Sequence, residues 1–244
     1  MNEPIVSAIC CTYGRCPRYQ HLLSEAVESF VRQDYPNKEL ILFNDAPGQT
    51  LVCDAPGVRV FNLPERIPTL GAKFNAAIRE ARGEYLMSWD DDDINLPHRI
   101  SQGVKAVGDH DYWNPQRTWY VPCNQYGMPT FIRDHNHGVC HNASIFRKSA
   151  WEKVGGYPDV SGPQDSIMDQ RLKSLSLAPA EDLRPSEWSY CYRWSVSPCH
   201  LSGMGATDEA YRAWGEKPVV QGTFRITPSW RMDYEKLARE AADK

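Results

Sequence analysis

The stretch "GEYLMSWDDDDINLPHR", Gly83 to Arg99, decides how this chain is read. Its "EYLMSW" portion is short, apolar and aromatic, the composition of a buried strand. That strand ends at once in four carboxylates, Asp90 to Asp93. Adjacent like charges resist ionising together, so either bulk water or a bound cation must make the run tolerable. An acidic run taken alone reads as a solvated loop. Here Ile94, Leu96 and Pro97 follow immediately, and the chain re-enters packed structure with no length for a free loop. Carboxylates at a strand end suit a hard divalent ion such as Mg²⁺ or Mn²⁺, which prefers oxygen ligands. An EF-hand loop is excluded, because its obligatory Gly and terminal Glu are absent. Mg²⁺ usually joins one or two protein carboxylates to substrate phosphates, so the pattern implies a phosphate-bearing substrate.

Working outward, "IVSAICCT" (Ile5 to Thr12), "ELILFND" (Glu39 to Asp45) and "GVRVFNL" (Gly57 to Leu63) read as further strands. Between them, Leu22, Ala26, Val27, Phe30 and Val31 recur at helical spacing from Tyr19 to Asp34. Leu70, Phe74, Ala77, Ile78 and Ala81 do so from Thr69 to Arg82, with Gly83 as the stop. Strands alternating with helices predict an α/β fold built on a mostly parallel, doubly wound sheet. Ligands bind such sheets beyond the carboxyl ends of the strands. Three polar clusters lie there: Thr12 to Arg15, Asn44-Asp45 and Asp90 to Asp93. The second half predicts short strands and loops, helices over "RKSAWEKVGGY" and "DSIMDQRLKSLS", and a polar peripheral helix from Tyr234.

With 244 residues, 41% of them hydrophobic, the chain suffices for one large domain or two small ones. No linker divides it, so the expectation is one domain with two lobes, about 1–107 and 108–230, and a peripheral helix over 231–244. A net charge of -4 is unlike a basic nucleic-acid-binding domain, although a local patch from Arg117, Arg133, Arg147 and Lys148 stays open. The apolar runs are too short for a membrane span, so no membrane insertion is expected. The opening "MNEPIVSAICC" predicts no signal peptide, hence a cytoplasmic protein whose eight cysteines, without a CxxC pair, are reduced.

The succession "VSAICCTYGR", "SFVRQDYPNKELILFNDAPG" and "LGAKFNAAIREARGEYLMSWDDDDINLPHRI" resembles glycosyltransferase family 2, and the likeness resumes at "NASIFRKSAWEKVGGYPD". The resemblance implies the GT-A fold and a nucleoside diphosphate sugar, UDP-linked by preference, as donor. It implies that Thr12, Tyr13 and Arg15 line base and ribose and that Asp45 accepts the N3–H of uracil or thymine. Only Asp45 carries over from the family's acidic pair, since its neighbour is Asn44; a cap on the following turn is the other reading of Asp45. Lys73, where relatives often carry Arg, either approaches the nucleotide or is an exposed helix lysine. Asp90 and Asp92 match the two acids of the DxD motif, Asp92 on the metal and Asp90 supporting it. Asp91 is counted with the nucleotide side, and Asp93 is expected to cap the helix near Pro97.

Inverting sugar transfer needs a carboxylate to take the acceptor's proton. The family places it in a Glu-Asp pair after a "GGF/Y-D" turn. Here "GGYPDVSGPQDSIMDQRL" offers Gln164-Asp165, so Asp165 is the candidate base and Asp169, one turn on, the backup. A helix N-cap is the competing role for Asp165. By the same resemblance His200, before Gly203 and Gly205, is expected as a further metal ligand from a mobile loop, or else as a hydrogen-bonded loop histidine. His141 either touches donor phosphate or acceptor, or is a satisfied structural histidine. Trp113, Trp119 and Tyr126 either stack on sugars or bases or belong to the core.

The expected activity is a metal-dependent, inverting glycosyltransferase acting on a hydroxyl of a glycan, a protein or a hydroxylated DNA base. Two alternatives stay beside it: a nucleotidyltransferase, and a non-catalytic nucleotide-sugar or glycan-binding module.

Overall fold

Apolar side chains on both faces of the first strands dictate a sheet covered by helices on either side. The computed structural model describes residues 3–14, 20–122, 130–134, 141–194, 207–216 and 219–244. The first half runs β1 (Val6–Thr12), α1 (Gln20–Val31), β2 (Lys38–Asn44), β3 (Gln49–Val52), β4 (Val58–Asn62), α2 (Leu70–Glu80) and β5 (Tyr85–Ser88). It continues through β6 (Ile94–Asn95), α3 (Arg99–Val107), β7 (Tyr112–Trp113), β8 (Thr118–Pro122), β9 (Ile132–Asp134), β10 (Ile145–Arg147), α4 (Lys148–Lys153) and α5 (Gln164–Lys173). β11 (Tyr190–Trp194), α6 (Asp208–Gly215), β12 (Gly222–Arg225) and α7 (Tyr234–Ala242) complete it.

The main sheet has the order β4-β2-β1-β5-β10-β7. Its first four strands are parallel, and β10 runs antiparallel to both β5 and β7. Alternation along β1 sends Val6, Ala8 and Cys10 to one face, where Leu23, Ala26, Val27 and Phe30 of α1 cover them. Ile9 faces the other way, against Phe74, Ala77, Ile78 and Ala81 of α2. From β1 the chain moves outward on one side to β2 and β4, then returns to β5 on the other. The carboxyl end of β1 is therefore the switch point of the sheet, the place where sheets of this kind bind ligands.

Two glycines are needed for close approach. A Cβ on Gly71 would stand 1.9 Å from the carbonyl oxygen of Pro158, so only glycine lets α2 start against that segment. Gly83 does not stop α2, which closes at Ala81; its role is to pass the backbone over Ser7, 2.5 Å from the Oγ for an added Cβ.

Other short strands of the second half assemble into further sheets. A four-stranded sheet, β6-β11-β8-β9, sits beside the acidic turn, and β3 pairs in parallel with β12 far along the chain. Trp119 of β8 is fully buried against Trp188 and Phe131, and Trp113 is buried in the main core, so neither is available for ligand stacking. The tail helix α7 buries Tyr234 and Ala238 against the small sheet. No helix among the described residues is long and apolar enough to cross a membrane.

Candidate functional site

β1 and β2 end side by side, Thr12 opposite Asn44. Lys73 of α2 reaches this corner and donates to the Thr12 carbonyl and to Asp45 Oδ1, both at 2.6 Å. The second Asp45 oxygen accepts from the Ile67 N–H at 3.0 Å. Lys73 is 2% exposed and Asp45 not at all. Burial opposes the ammonium charge, but Asp45 together with Tyr211 and Cys11 outweighs it, and Lys73 holds its proton more tightly than a free lysine. Lys73 is thus no exposed helix lysine.

The turn after β2 is capped by Asn44, not Asp45. Asn44 Oδ1 accepts from the Ala46 N–H at 3.2 Å, and its Nδ2 donates to the Gln49 carbonyl and Asn62 Oδ1 at 3.1 Å each. The amide that replaces the family's first acid is a bracket joining β2, β3 and β4. Asp45, expected to receive a base, is enclosed with both oxygens engaged. Over this corner lies α6: Tyr13 donates to the Gly215 carbonyl at 3.1 Å, and the Arg66 guanidinium lies over the Tyr13 and Tyr211 rings at 4.4 and 3.9 Å.

Within the acidic run the side chains alternate. Asp91 and Asp93 turn inward and are buried, while Asp90 and Asp92 are partly exposed. Asp91 accepts from Thr12 Oγ1 at 2.6 Å, tying the ends of β1 and β5 together. Asp93 does not cap α3, whose N-cap residue is His98. It accepts instead from the Tyr190 hydroxyl and, at 2.7 Å, from the Arg193 N–H of β11. Burial, with Asp92 adjacent, pushes the Asp93 carboxyl up to about 7. Asp90 accepts from Asn142 Nδ2 at 2.5 Å and from the Tyr190 hydroxyl at 3.3 Å. Burial and the surrounding Asp93, Asp92 and Asp165 hold the Asp90 carboxyl well above the usual carboxylate range.

These residues fit a divalent cation. The outward donors are carboxylate oxygens, and a positive charge would relieve the crowding that disfavours ionised Asp90. Among the described residues no set of three or more acidic, His or Cys side chains is assembled for a metal.

Opposite stands the first turn of α5. Its N-cap position is Pro163, so Asp165 does not cap the helix. Asp165 Oδ1 is enclosed without a hydrogen-bond partner among the described residues. Burial pushes its carboxyl up to about 6, against a hydrogen bond from the Gln164 side chain and with Asp169 adding to the rise. Asp165 lies near enough to Asp90 for its charge to raise that group too.

Asp169 is differently placed. It is buried and accepts from the Tyr112 hydroxyl, from Asn114 Nδ2 at 3.3 Å and from Lys173 Nζ at 2.5 Å. The backup base is a structural anchor. His141 is also internal: its Nε2 lies 2.7 Å from the Tyr157 hydroxyl, and burial pulls its pKa down to about 4. Arg147 pairs with Glu84 and Lys148 donates to the Ala81 carbonyl, both near the start of β5, at the opposite edge from this site. Arg15, Tyr126, His135, His137 and His200 lie outside the described residues.

Sequence reasoning missed Asn142, Tyr190 and Arg193. Nothing local marks them, since Arg193 and the Asp93 it binds are 100 residues apart.

The family model described as glycosyl transferase family 2 matches residues 7–155, more than half the chain. The Bacillus subtilis (strain 168) protein named "Putative glycosyltransferase EpsE" is 28% identical over 178 residues, 66% of this chain and 63% of that protein. The uncharacterized glycosyltransferase YwdF of the same organism is 33% identical over 112 residues, 44% of this chain and 40% of that one. The chain thus spans less than two thirds of these relatives' lengths. Among solved structures, S. aureus TarS 1-349 in complex with UDP-GlcNAc superimposes with a TM-score of 0.59 at 16% identity, over 81% of this chain and 60% of that one. The mannosyltransferase PcManGT from Pyrobaculum calidifontis, in complex with GDP-Man and Mn²⁺, does so with 0.56 at 16% identity, over 98% and 70%. These likenesses establish the GT-A fold. The matched family model makes this chain a member of glycosyl transferase family 2.

Proposed function

We propose that the chain transfers a sugar from a nucleoside diphosphate sugar, UDP-linked by preference, to a hydroxyl acceptor with inversion at the anomeric carbon. One juxtaposition carries this reading. Asp90 and Asp92 open outward at the end of β5, and Asp165, coupled to Asp90 by charge, has an enclosed carboxylate oxygen without a partner among the described residues. The complexes of TarS with UDP-GlcNAc and of PcManGT with GDP-Man and Mn²⁺ support the same donor class.

Asp92, with Asp90 beside it, would hold a divalent cation, Mn²⁺ or Mg²⁺. When bound, that ion supplies electrostatic stabilisation of the departing diphosphate, worth several kcal/mol. Asp165 accepts the proton of the acceptor hydroxyl as its oxygen bonds to the anomeric carbon. The bond to the diphosphate breaks on the opposite face, which inverts that centre. Thr12, Tyr13, Asp45 and Lys73 form the nucleoside wall, and Asp91 joins that wall to the acidic turn through Thr12. Residues 1–107 supply the donor-binding side chains, and 108–230 supply the base on the acceptor side together with Asn142, Tyr190 and Arg193 behind the acidic turn.

The test is a panel of nucleotide sugars with candidate acceptors, scored for release of nucleoside diphosphate with Mn²⁺, Mg²⁺ or a chelator. Release that a chelator abolishes is expected. Release indifferent to the chelator overturns the role of the metal, and binding without release identifies a binding module. With a nucleoside triphosphate and a sugar 1-phosphate supplied instead, release of inorganic pyrophosphate identifies a nucleotidyltransferase.

A further inference from the structure

A buried charged strut stands behind the acidic turn, and the mechanism above does not use it. Arg193 of β11 is 2% exposed, unusual for a residue whose charge prefers water. Three of its donor groups go to different partners. The backbone N–H donates to Asp93 Oδ1 at 2.7 Å, Nε–H donates to the carbonyl of Asp92, and Nη1 pairs with Glu25 Oε2 at 2.6 Å. The charge of Arg193 is therefore matched by Glu25, while its Nε–H is directed at the peptide that carries Asp92.

Glu25 lies on α1 and is itself fully enclosed. Its second oxygen accepts from the Tyr234 hydroxyl at 2.8 Å, from the Arg231 backbone N–H at 3.2 Å and from Arg231 Nε at 3.1 Å. The Trp230 indole N–H donates to the Glu25 carbonyl at 3.2 Å. One carboxylate thus gathers α1, β11 and the segment Trp230–Tyr234, and passes that restraint to the turn through one guanidinium. A buried ion pair is weak evidence for stability, because desolvation offsets most of its attraction. Its value here is directional: a planar guanidinium fixes a carbonyl by geometry, which a flexible ammonium does not.

We infer that Arg193 is a positioning residue for the acidic turn, and that Glu25, held by Tyr234 and Arg231, keeps it in place so that the Asp92 carboxylate is aimed at the cation and diphosphate. This rests on the metal reading proposed above, and it deepens that reading. It also makes the C-terminal segment, remote in sequence from the carboxylates, a working part of the donor site.

The test is titration of the full chain with Mn²⁺ in the presence of UDP, following free Mn²⁺ by electron paramagnetic resonance, with UDP binding in EDTA measured separately. Arg193→Lys keeps a cation for Glu25 but removes the Nε–H to Asp92. It is expected to weaken Mn²⁺ binding by about tenfold or more, with metal-free UDP binding unchanged. Tyr234→Phe deletes one hydroxyl at the far end of the strut and spares both buried charges; a loss of a few-fold in Mn²⁺ affinity is expected. Should Arg193→Lys fail to fold, Tyr234→Phe decides alone. A folded Arg193→Lys or Tyr234→Phe with wild-type Mn²⁺ affinity overturns the inference while leaving the metal reading intact. A wild-type protein that takes up no Mn²⁺ with UDP overturns both. Parallel loss of metal-free UDP binding assigns the strut to general stability and overturns positioning.

Discussion

The two ends of the site solve the same electrostatic problem in opposite ways. At the nucleoside end, Asp45 and Lys73 are both enclosed, and each answers the charge of the other at 2.6 Å. At the other end, Asp90 and Asp165 are only partly exposed, and their electrostatic neighbours include other carboxylates. The first arrangement is finished when the chain folds. The second keeps like charges crowded together, which a positive charge would relieve. The contrast separates a pre-built wall from a site awaiting its substrates, and experiments can press on each end in turn.

The largest expected effect is at the end that holds Asp165. Asp165→Asn keeps the shape of the side chain and removes the base, so turnover should fall by ~10²- to 10⁴-fold with UDP binding intact. Near-normal turnover would remove the assignment. Lys73→Ala presses on the other end by leaving Asp45 buried without its counter-charge. A loss of about 3–5 kcal/mol in unfolding free energy is expected, seen as a fall in thermal midpoint on the order of 10 °C. If the midpoint hardly moved, the nucleoside wall would not be the finished structure described here.

The pH dependence sharpens the same comparison. Asp165 must be ionised to act, and its carboxyl is pushed up to about 6, so the rate should fall about tenfold per pH unit below 6. A carboxyl raised on folding binds its proton more tightly in the folded state. Its stabilising contribution is therefore present below the unfolded value and lost as pH rises through about 6. Asp165→Asn should accordingly be no less stable than wild type at pH 7, the reverse of Lys73→Ala. The smallest effect belongs to Asp169→Asn. Its partners Tyr112 and Lys173 make it an anchor, so a loss of about 1 kcal/mol in stability and less than tenfold in turnover is expected. A collapse in rate equal to that of Asp165→Asn would move the base to Asp169.

Much of the first half was legible because its signals are local. Apolar runs of strand length and helical spacing in Leu70, Phe74, Ala77 and Ile78 anticipated β1, β2, β4, β5, α1 and α2. β3 escaped notice, because four residues, Gln49–Val52, carry no readable period and find their partner β12 only at Gly222–Arg225. The tetrad announced itself by charge, but nothing in four identical residues says that Asp91 and Asp93 turn inward. That follows from Thr12, Tyr190 and Arg193 waiting beneath them. The departure at Asn44 looked like a lost ligand, whereas the folded chain uses the amide as a three-way bracket, for which it has both a donor and an acceptor.

The alternation of strands and helices in the first half, β3 apart, and the carboxylate cluster at the end of β5 were determined by the sequence alone. These depend on periodicity and chain order, which are properties of neighbours. Only the tertiary structure decided which carboxylates face out, that Asp169 is an anchor while Asp165 keeps an unpartnered oxygen among the described residues, and that Glu25 and Arg193 meet behind the turn. Each of those depends on desolvation and on partners brought together from distant segments, and charge inside a protein is governed by surroundings that no local pattern records.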